Sequence, residues 1–140
     1  MTMEKLANHI IAVAHKNEIA IDKYKLQKVM YLTLKKAKEN CVLSQEELEQ
    51  IYDEPFLLYA YGPTLASQSE RFYLFGGSPI IGNDFKIDQK LNKLNPIILD
   101  YLTKSVIDLV KESRETPFWK KNHQYLNGFT SDVLYRLKDL

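Results

Sequence analysis

A rigid turn interrupts a chain that otherwise carries the pattern of successive helices. Residues 59–67 read YAYGPTLAS, in which Gly62 permits a sharp bend and Pro63 fixes its own φ and disfavours helix at the residue before it. The aromatic stretch FLLYAY before the turn favours a short strand, and Tyr59 and Tyr61 are expected to bury their rings around it. We therefore predict a mainly α, compact single domain of about six helices with a small β element near the Tyr-Gly-Pro turn.

Helix start signals and apolar spacing divide the rest of the chain. Thr2, Asp22 and Thr64 are predicted N-caps, and Ser44 forms a capping box with Glu47. The predicted helices cover residues 3–17, 23–39, the stretch SQEELEQIYD, 65–75, 95–113, the stretch begun by Thr116-Pro117, and 131–140. The helix over 95–113 has the widest apolar arc and is predicted to be central. A small hairpin is predicted in SPIIGNDFKI.

Charge and cysteine content exclude several classes of protein. The 140 residues carry 19 basic and 18 acidic side chains, so the net charge of +1 gives no overall attraction to nucleic acid or to a membrane surface. Cys41 is the only cysteine, so no internal disulfide can form, which favours a reducing compartment. The first residues lack the continuous apolar stretch of a signal peptide or membrane span. A cytoplasmic protein without membrane contact is expected.

No motif in the chain specifies catalysis or metal binding. His9, His15 and His123 have no helical pairing, and there is no Cys-x-x-Cys, G-x-S-x-G or Gly-Lys-Ser/Thr loop. The sequence therefore predicts no enzyme, no cofactor and no metal site. One alternative stays open: Cys41 could meet His9 or His123 in space and act as a nucleophile.

Lysines on the second predicted helix offer a different function. They are predicted to form one face that could contact phosphates, with tyrosines along its border that could stack on bases. A lysine-rich solvent face is the commoner explanation of such a pattern. A nucleic-acid-binding regulator is therefore the less favoured alternative. The lysines of this face are Lys25, Lys28, Lys35 and Lys36, and the bordering tyrosines are Tyr24 and Tyr31.

Three stretches, in this order, carry a resemblance to a known family. They are KYKLQKVMYLTLKKA near the start, LLYAYGPTLASQSERF around the turn, and SRETPFWKKN after the predicted long helix. Together with FTSDVLYRL they resemble the Panacea antitoxin-domain family, also described as SocA-like or GepA-like, over nearly the whole chain. Residues 1–140 are thus expected to form a single Panacea-like domain. The matching residues, mostly structural in role, are Leu26, Gln27, Lys28, Tyr31, Tyr61, Gly62, Pro63, Pro117 and Trp119.

The resemblance implies that the protein acts by binding another protein. Family members are antitoxins that neutralise a toxin by direct contact, many of them carried by prophages and mobile elements, and some are adaptors that deliver a partner to a protease. The expected partner is a protein toxin encoded by an adjacent gene. Trp119 is expected in the core and Phe118, inserted beside it, at the surface. The candidate partner contacts are Phe118, Lys120, Lys121, Tyr24, Lys28 and Lys35.

Overall fold

The computed structural model describes all residues, 1–140, as seven α-helices and one β-hairpin. The helices are α1 (Met3–Lys16), α2 (Lys23–Glu39), α3 (Gln45–Ile51), α4 (Ala66–Arg71), α5 (Asn95–Leu102), α6 (Val106–Arg114) and α7 (Pro117–Asn122), and the strands are β1 (Leu57–Tyr59) and β2 (Gly62–Thr64). Short 3₁₀ helices cover Tyr73–Phe75, Gln89–Leu94, His123–Tyr125 and Leu137–Asp139. The predicted mainly α fold with a small β element at the Tyr-Gly-Pro turn is confirmed. None of the helices combines the length and apolarity needed to cross a membrane.

Most helix starts lie where the capping residues predict them. The side chains of Thr2, Asp22, Ser44 and Thr116 each accept a hydrogen bond from the backbone N–H three residues later, and Glu47 completes the capping box at Ser44. Each cap satisfies a backbone donor that the first helical turn leaves unpaired. Local chemistry therefore sets these boundaries.

Helix α2 is the centre of the fold, where the sequence had predicted the helix over 95–113. All residues from 26 to 34 are buried, because α1, α5, α6 and β2 all pack around α2. The predicted lysine face is accordingly wrong at Lys28, which is only 3% exposed under the hairpin. Lys25, Lys35 and Lys36 are each half-buried and do not form one continuous cationic face with it.

The predicted long helix over 95–113 is instead two helices. Ser105 has an extended backbone, and its hydroxyl accepts a hydrogen bond from the N–H of Asp108, which starts α6. A serine cap of this kind competes with helix continuation because it satisfies the same backbone donors. The two shorter helices lie against two sides of α2, and their apolar arcs face different neighbours.

Two predictions between residues 64 and 87 are wrong. Thr64 does not cap a helix, because it pairs with Leu57 in the hairpin and α4 begins only at Ala66. The segment SPIIGNDFKI contains no strand. Its backbone is bound to the connection between α1 and α2 instead, since the N–H of Ile80 donates to the carbonyl of Ile21.

The predicted last helix, Ser131–Leu140, is also wrong, because this stretch is mostly extended. The N–H of Leu58 donates to the carbonyl of Val133, and the N–H of Tyr135 donates to the carbonyl of Phe56. Residues 131–136, hereafter the closing segment, therefore line the free edge of β1. The burial of Ser131 and Tyr135 with exposed residues between them follows the alternation of a strand.

Candidate binding pocket at the hairpin

Gly62 brings the hairpin into direct contact with the helices beneath it. Strand β1 pairs antiparallel with β2, with Tyr59 opposite Gly62 and a turn of two residues between them. Gly62 has φ +110°, and a Cβ built on it would lie 3.1 Å from the Cβ of Ser113 and 3.7 Å from the Cε of Lys28. Only glycine combines this backbone conformation with this close approach. The turn residue Tyr61 lies outside this contact.

Gln27 ties α2 to the chain leaving the hairpin. Its amide Nε2 donates to the carbonyl of Leu65 over 3.0 Å, and its Oε1 accepts from the N–H of Leu65 over 2.7 Å. The side chain thus pairs with one residue's backbone as a neighbouring strand would. Because Gln27 is buried, loss of either bond would leave a polar group unpaired in the core. This motif residue therefore fixes the hairpin on α2.

Trp119 holds the other side of the hairpin. Its indole Nε1 donates to the carbonyl of Tyr59 over 3.1 Å, and its ring lies between the imidazole of His123 and the guanidinium of Arg114, at 4.9 and 4.7 Å from the ring centroid. The side chain is 8% exposed, which agrees with its predicted place in the core. Helix α7 thereby supports β1.

Two stacked rings stand at the open side of the hairpin. The rings of Tyr61 and Phe129 lie 5.7 Å apart and are nearly parallel, at 14°, yet they are 57% and 67% exposed. The N–H of Ala60 donates to the carbonyl of Phe129 over 2.9 Å, which holds this ring in place. The expectation that Tyr61 buries its ring is therefore wrong, since the turn points it outward.

On the opposite side, a lysine lies between two exposed tyrosines. The ammonium group of Lys23 is 5.2 Å from the ring centroid of Tyr24 and 5.2 Å from that of Tyr73. Both rings are half or more exposed. Cation–π contacts of this kind orient the rings while leaving their edges free. Tyr24, Tyr61, Tyr73 and Phe129 are hereafter called the aromatic rim.

A pocket of about 130 Å³ lies between the hairpin and α2, and three residues of this rim, Tyr24, Tyr61 and Phe129, line it. Its walls come from three separate parts of the chain: the first turns of α2, the hairpin with the start of α4, and the turn before the closing segment. We call it the hairpin pocket. Its lining residues are Lys23, Tyr24, Gln27, Lys28, Tyr59, Tyr61, Thr64, Ser69 and Phe129.

Lys28 is the unusual group of the hairpin pocket. Burial lowers the pKa of its ammonium to about 8, and the nearby charge of Asp22 opposes this shift only in part. The ammonium makes no hydrogen bond or ion pair with another side chain or carbonyl. Burying an ammonium without an acceptor or a carboxylate beside it is costly, because the group loses most of its water and gains no hydrogen bond within the protein in exchange. A ligand with a negative charge or a hydrogen-bond acceptor could therefore bind to this ammonium.

The structure divides the predicted site residues between different places. Tyr24, Gln27, Lys28 and Tyr61 meet in the hairpin pocket. The other motif residues have structural positions: Leu26 and Tyr31 are in the core, Gly62 and Pro63 form β2, Pro117 begins α7, and Trp119 supports β1.

The predicted contacts Phe118, Lys35 and Lys121 line a second, wider groove of about 360 Å³, hereafter the Phe118 groove. Phe118 is half-buried there, with its ring 4.5 Å from that of Tyr135. Phe118 is the more exposed member of its pair, as predicted, but it is only partly exposed because its ring packs against Tyr135 of the closing segment. Lys35 pairs with Glu39 at 2.9 Å, and Lys120 is exposed outside the groove.

Sequence reasoning missed part of the pocket. Phe129, Tyr59, Thr64 and Ser69 line it, and nothing in the local pattern places Phe129 beside a turn so distant in sequence. The sequence carried little signal for this placement, because residues 131–136 read SDVLYR and do not alternate: Leu134 is apolar yet 51% exposed, and the pairing of this stretch with β1 is seen only in the structure. Tyr59 and Thr64 could have been found from the hairpin pairing once β2 was recognised.

The buried histidine belongs to the framework. The Nδ1 of His9 accepts from the N–H of Asp88, and its Nε2 lies 2.7 Å from the Oδ1 of Asn95. Burial lowers the pKa of His9, although the bond to Asn95 partly opposes this. Both ring nitrogens are occupied, so the suggested pair of Cys41 with His9 does not exist. His123 stacks on Trp119, and no three His, Cys, Asp or Glu side chains are grouped as a metal site.

Comparisons with known proteins leave the interpretation to the residues themselves. No protein-family model matches this chain, and neither curated proteins nor solved structures show a significant match to it.

Proposed function

We propose that this protein is an antitoxin-like binding module that neutralises a protein toxin by direct contact, using the hairpin pocket and its aromatic rim. The observation that carries the proposal is the rim itself. Three aromatic side chains that are half or more exposed, Tyr24, Tyr61 and Phe129, line one small pocket, and the exposed ring of Tyr73 lies beside Tyr24 across Lys23. Exposed aromatic clusters of this kind are typical of protein interfaces, where tyrosines and other large rings contribute most of the binding energy.

The rings of the rim are held in place before any partner arrives. Tyr61 stacks on Phe129, and Lys23 lies between Tyr24 and Tyr73. Ordered side chains lose little conformational entropy on binding, so more of the contact energy appears as affinity. The resemblance of three sequence stretches to antitoxin domains supports the same conclusion, since two of these stretches build the pocket.

Co-expression with the neighbouring gene tests the proposal. We expect that gene to arrest growth when expressed alone and this protein to restore growth when both are expressed. Replacing Tyr61 and Phe129 together by alanine should abolish the rescue. Replacing Lys120 and Lys121 together by alanine is the matched control and should leave it intact, because both side chains are exposed away from the pocket.

Two results would overturn the proposal. A neighbouring gene that is harmless alone, or whose toxicity this protein does not reduce, removes the proposed partner. Full rescue by the Tyr61 and Phe129 double variant, present at wild-type level, removes the rim as the contact surface.

A further inference from the structure

We infer that the hairpin pocket binds a carboxylate, and that in the complex this group is an aspartate or glutamate side chain of the partner polypeptide. The assignment of the carboxylate to a partner polypeptide rests on the proposed function, whereas the inference that a carboxylate binds rests on the pocket alone. Lys28, inside the pocket, is the group that would receive it.

Lys28 has three N–H donors and no acceptor within the protein. Two neighbouring polar side chains are already engaged: Gln27 binds the backbone of Leu65, and the hydroxyl of Thr64 donates to the carbonyl of Gly62. The ammonium of Lys28 is the buried cationic donor of the pocket that has no partner. A carboxylate placed there would form charge-assisted hydrogen bonds, at about 2.7–2.9 Å, and would neutralise a charge that burial leaves isolated.

The charges around the pocket favour a single negative charge. The first turns of α2 contribute Asp22, Lys23 and Tyr24, the hairpin contributes Tyr59 and Tyr61, and α6 contributes the neutral Ser113. One carboxylate balances the buried ammonium. A phosphate dianion would bring a second negative charge, which only Lys23 is placed to meet and for which the pocket has no arginine.

The shape of the pocket fits a carboxylate on a short apolar stem. A closed cavity of about 150 Å³ admits a benzene molecule, so a pocket of about 130 Å³ has room for the end of an acidic side chain. The methylene groups would lie among the rings of Tyr24, Tyr61 and Phe129, and the carboxylate would reach Lys28. Apolar walls with one polar group at depth are typical of selective binding sites.

Binding and protonation of Lys28 are linked. A carboxylate binds the ammonium form, so it should raise the pKa of Lys28 from about 8 toward the ordinary lysine value of about 10.4. Affinity should be constant between about pH 6, where the carboxylate is ionised, and about pH 8, and should fall about tenfold per pH unit above that, as the free protein loses this proton.

A matched pair of small probes tests the inference with the full chain. N-acetyl-glutamate N-methylamide carries the acidic side chain on a peptide-like backbone, and N-acetyl-glutamine N-methylamide differs only in having a neutral amide. NMR of ¹³C-labelled lysine gives the pKa of Lys28 from its Cε signal, and the ring signals of Tyr61 and Phe129 report occupancy. We expect the acid, and not the amide, to shift these rings and to raise the pKa of Lys28.

Variants and further probes make the result specific. Lys28→Met retains the apolar stem and should lose acid binding, whereas Lys121→Met, in the Phe118 groove, should retain it. Equal binding of the acid and the amide would overturn the inference, as would no binding at the highest soluble concentration. A larger rise in the pKa of Lys28 with inorganic phosphate would overturn the choice of carboxylate. Tighter binding of free glutamate would overturn its assignment to a side chain.

This test is independent of the toxin. Carboxylate binding without rescue of growth would reject the proposed function alone, and rescue of growth without carboxylate binding would reject this inference alone.

Discussion

The hairpin pocket and the Phe118 groove both contain lysines and aromatic rings, but they differ in what remains unsatisfied. The groove is the larger, at about 360 Å³ against about 130 Å³. Its lysines reach solvent, or in the case of Lys35 a carboxylate. In the pocket, Lys28 is almost entirely buried and is paired with no carboxylate. By volume and by number of lysines, the groove would be the preferred candidate for a binding site. The free-energy cost of an unpaired buried ammonium favours the pocket instead.

The aromatic rings of the two regions show the same contrast. Phe118 packs its ring on the buried Tyr135 and so lies partly buried against the core. Phe129 stacks on Tyr61, and both rings remain largely in water. A ring that contacts the core stabilises the fold, while one that contacts only another exposed ring is available to a partner. The following variants test this distinction, in order of expected effect.

Trp119 should show the largest effect, because it joins the two regions. We expect Trp119→Ala to lower the free energy of unfolding by about 3–5 kcal/mol, as loss of a buried aromatic side chain does. The variant loses the ring between His123 and Arg114 together with the bond to the carbonyl of Tyr59. Urea denaturation measures the change. A midpoint equal to that of the wild type would show that α7 does not support the hairpin.

Gly62→Ala, in the wall of the pocket, should lower the free energy of unfolding by about 3 kcal/mol, because the alanine is strained at positive φ and its methyl group is overpacked against Ser113. Gly76→Ala is the matched control, because Gly76 also has positive φ but has no atom within 4 Å of the added methyl group. We expect about 1 kcal/mol there. Equal losses in thermal or urea denaturation would mean that close approach at Gly62 contributes nothing.

Lys28→Met should make the protein more stable, by about 2 kcal/mol near neutral pH, because it removes an isolated buried charge and keeps the stem. Lys121→Met, in the Phe118 groove, should change the free energy of unfolding by less than about 0.5 kcal/mol. Urea denaturation of both variants compares the two regions directly. A destabilised Lys28→Met variant would show that the ammonium has an unrecognised partner.

The pH dependence provides a control for the Lys28 variant. The unfolded chain holds this proton up to about pH 10.4, and the folded protein holds it only to about pH 8. The unfolded state therefore binds more protons in this window, so the wild type gains stability relative to Lys28→Met as pH rises from about 8. Burial raises the pKa of Tyr31 to about 12, which acts in the opposite direction in both proteins and cancels in the difference.

The smallest effects should come from the two phenylalanines. We expect Phe118→Ala to cost about 1.5 kcal/mol, since its ring is half-buried on Tyr135. Phe129→Ala should cost about 0.5 kcal/mol, because its ring is mostly exposed, and should weaken binding of the acidic probe. Denaturation and the NMR titration measure the two properties separately. The reverse pattern would exchange the roles of the two regions.

Local signals in the sequence were sufficient for most of the helix starts and for a short strand before the turn, but not for the second strand of the hairpin. Caps such as Thr2 and Asp22 act through bonds within one helical turn, so their chemistry is readable from neighbours in the chain. The turn predicted at Gly62-Pro63 lies two residues earlier, at Ala60 and Tyr61, because Gly62 and Pro63 pair with Tyr59 and Leu58 as part of β2. These local signals could not predict which elements pack against each helix. Lys28 sits at helical spacing with exposed-type residues, and only the packing of β2 and α6 onto α2 buries it.

The closing segment shows the limit of spacing arguments. Val133, Leu134 and Leu137 fit a helix, yet backbone bonds to β1 hold the chain extended. Short apolar runs are ambiguous between the two structures, and a distant strand decided between them. The pocket was only partly predictable for the same reason. Tyr24 and Lys28 lie on one helix, whereas Phe129 reaches the pocket only because the closing segment pairs with β1.

Strand β1 is paired on one edge by β2, across a two-residue turn, and on the other by the closing segment, where the bond from the hydroxyl of Ser131 to the carbonyl of Leu58 spans 73 residues. Loop-closure entropy favours the near pairing first, and contacts distant in sequence slow folding. The hairpin can thus form early, but Phe129 takes its place only when the chain from β1 to the closing segment has assembled. During synthesis and refolding, a complete rim is therefore a property of the finished fold, and a partner that recognises it would distinguish mature molecules from immature ones.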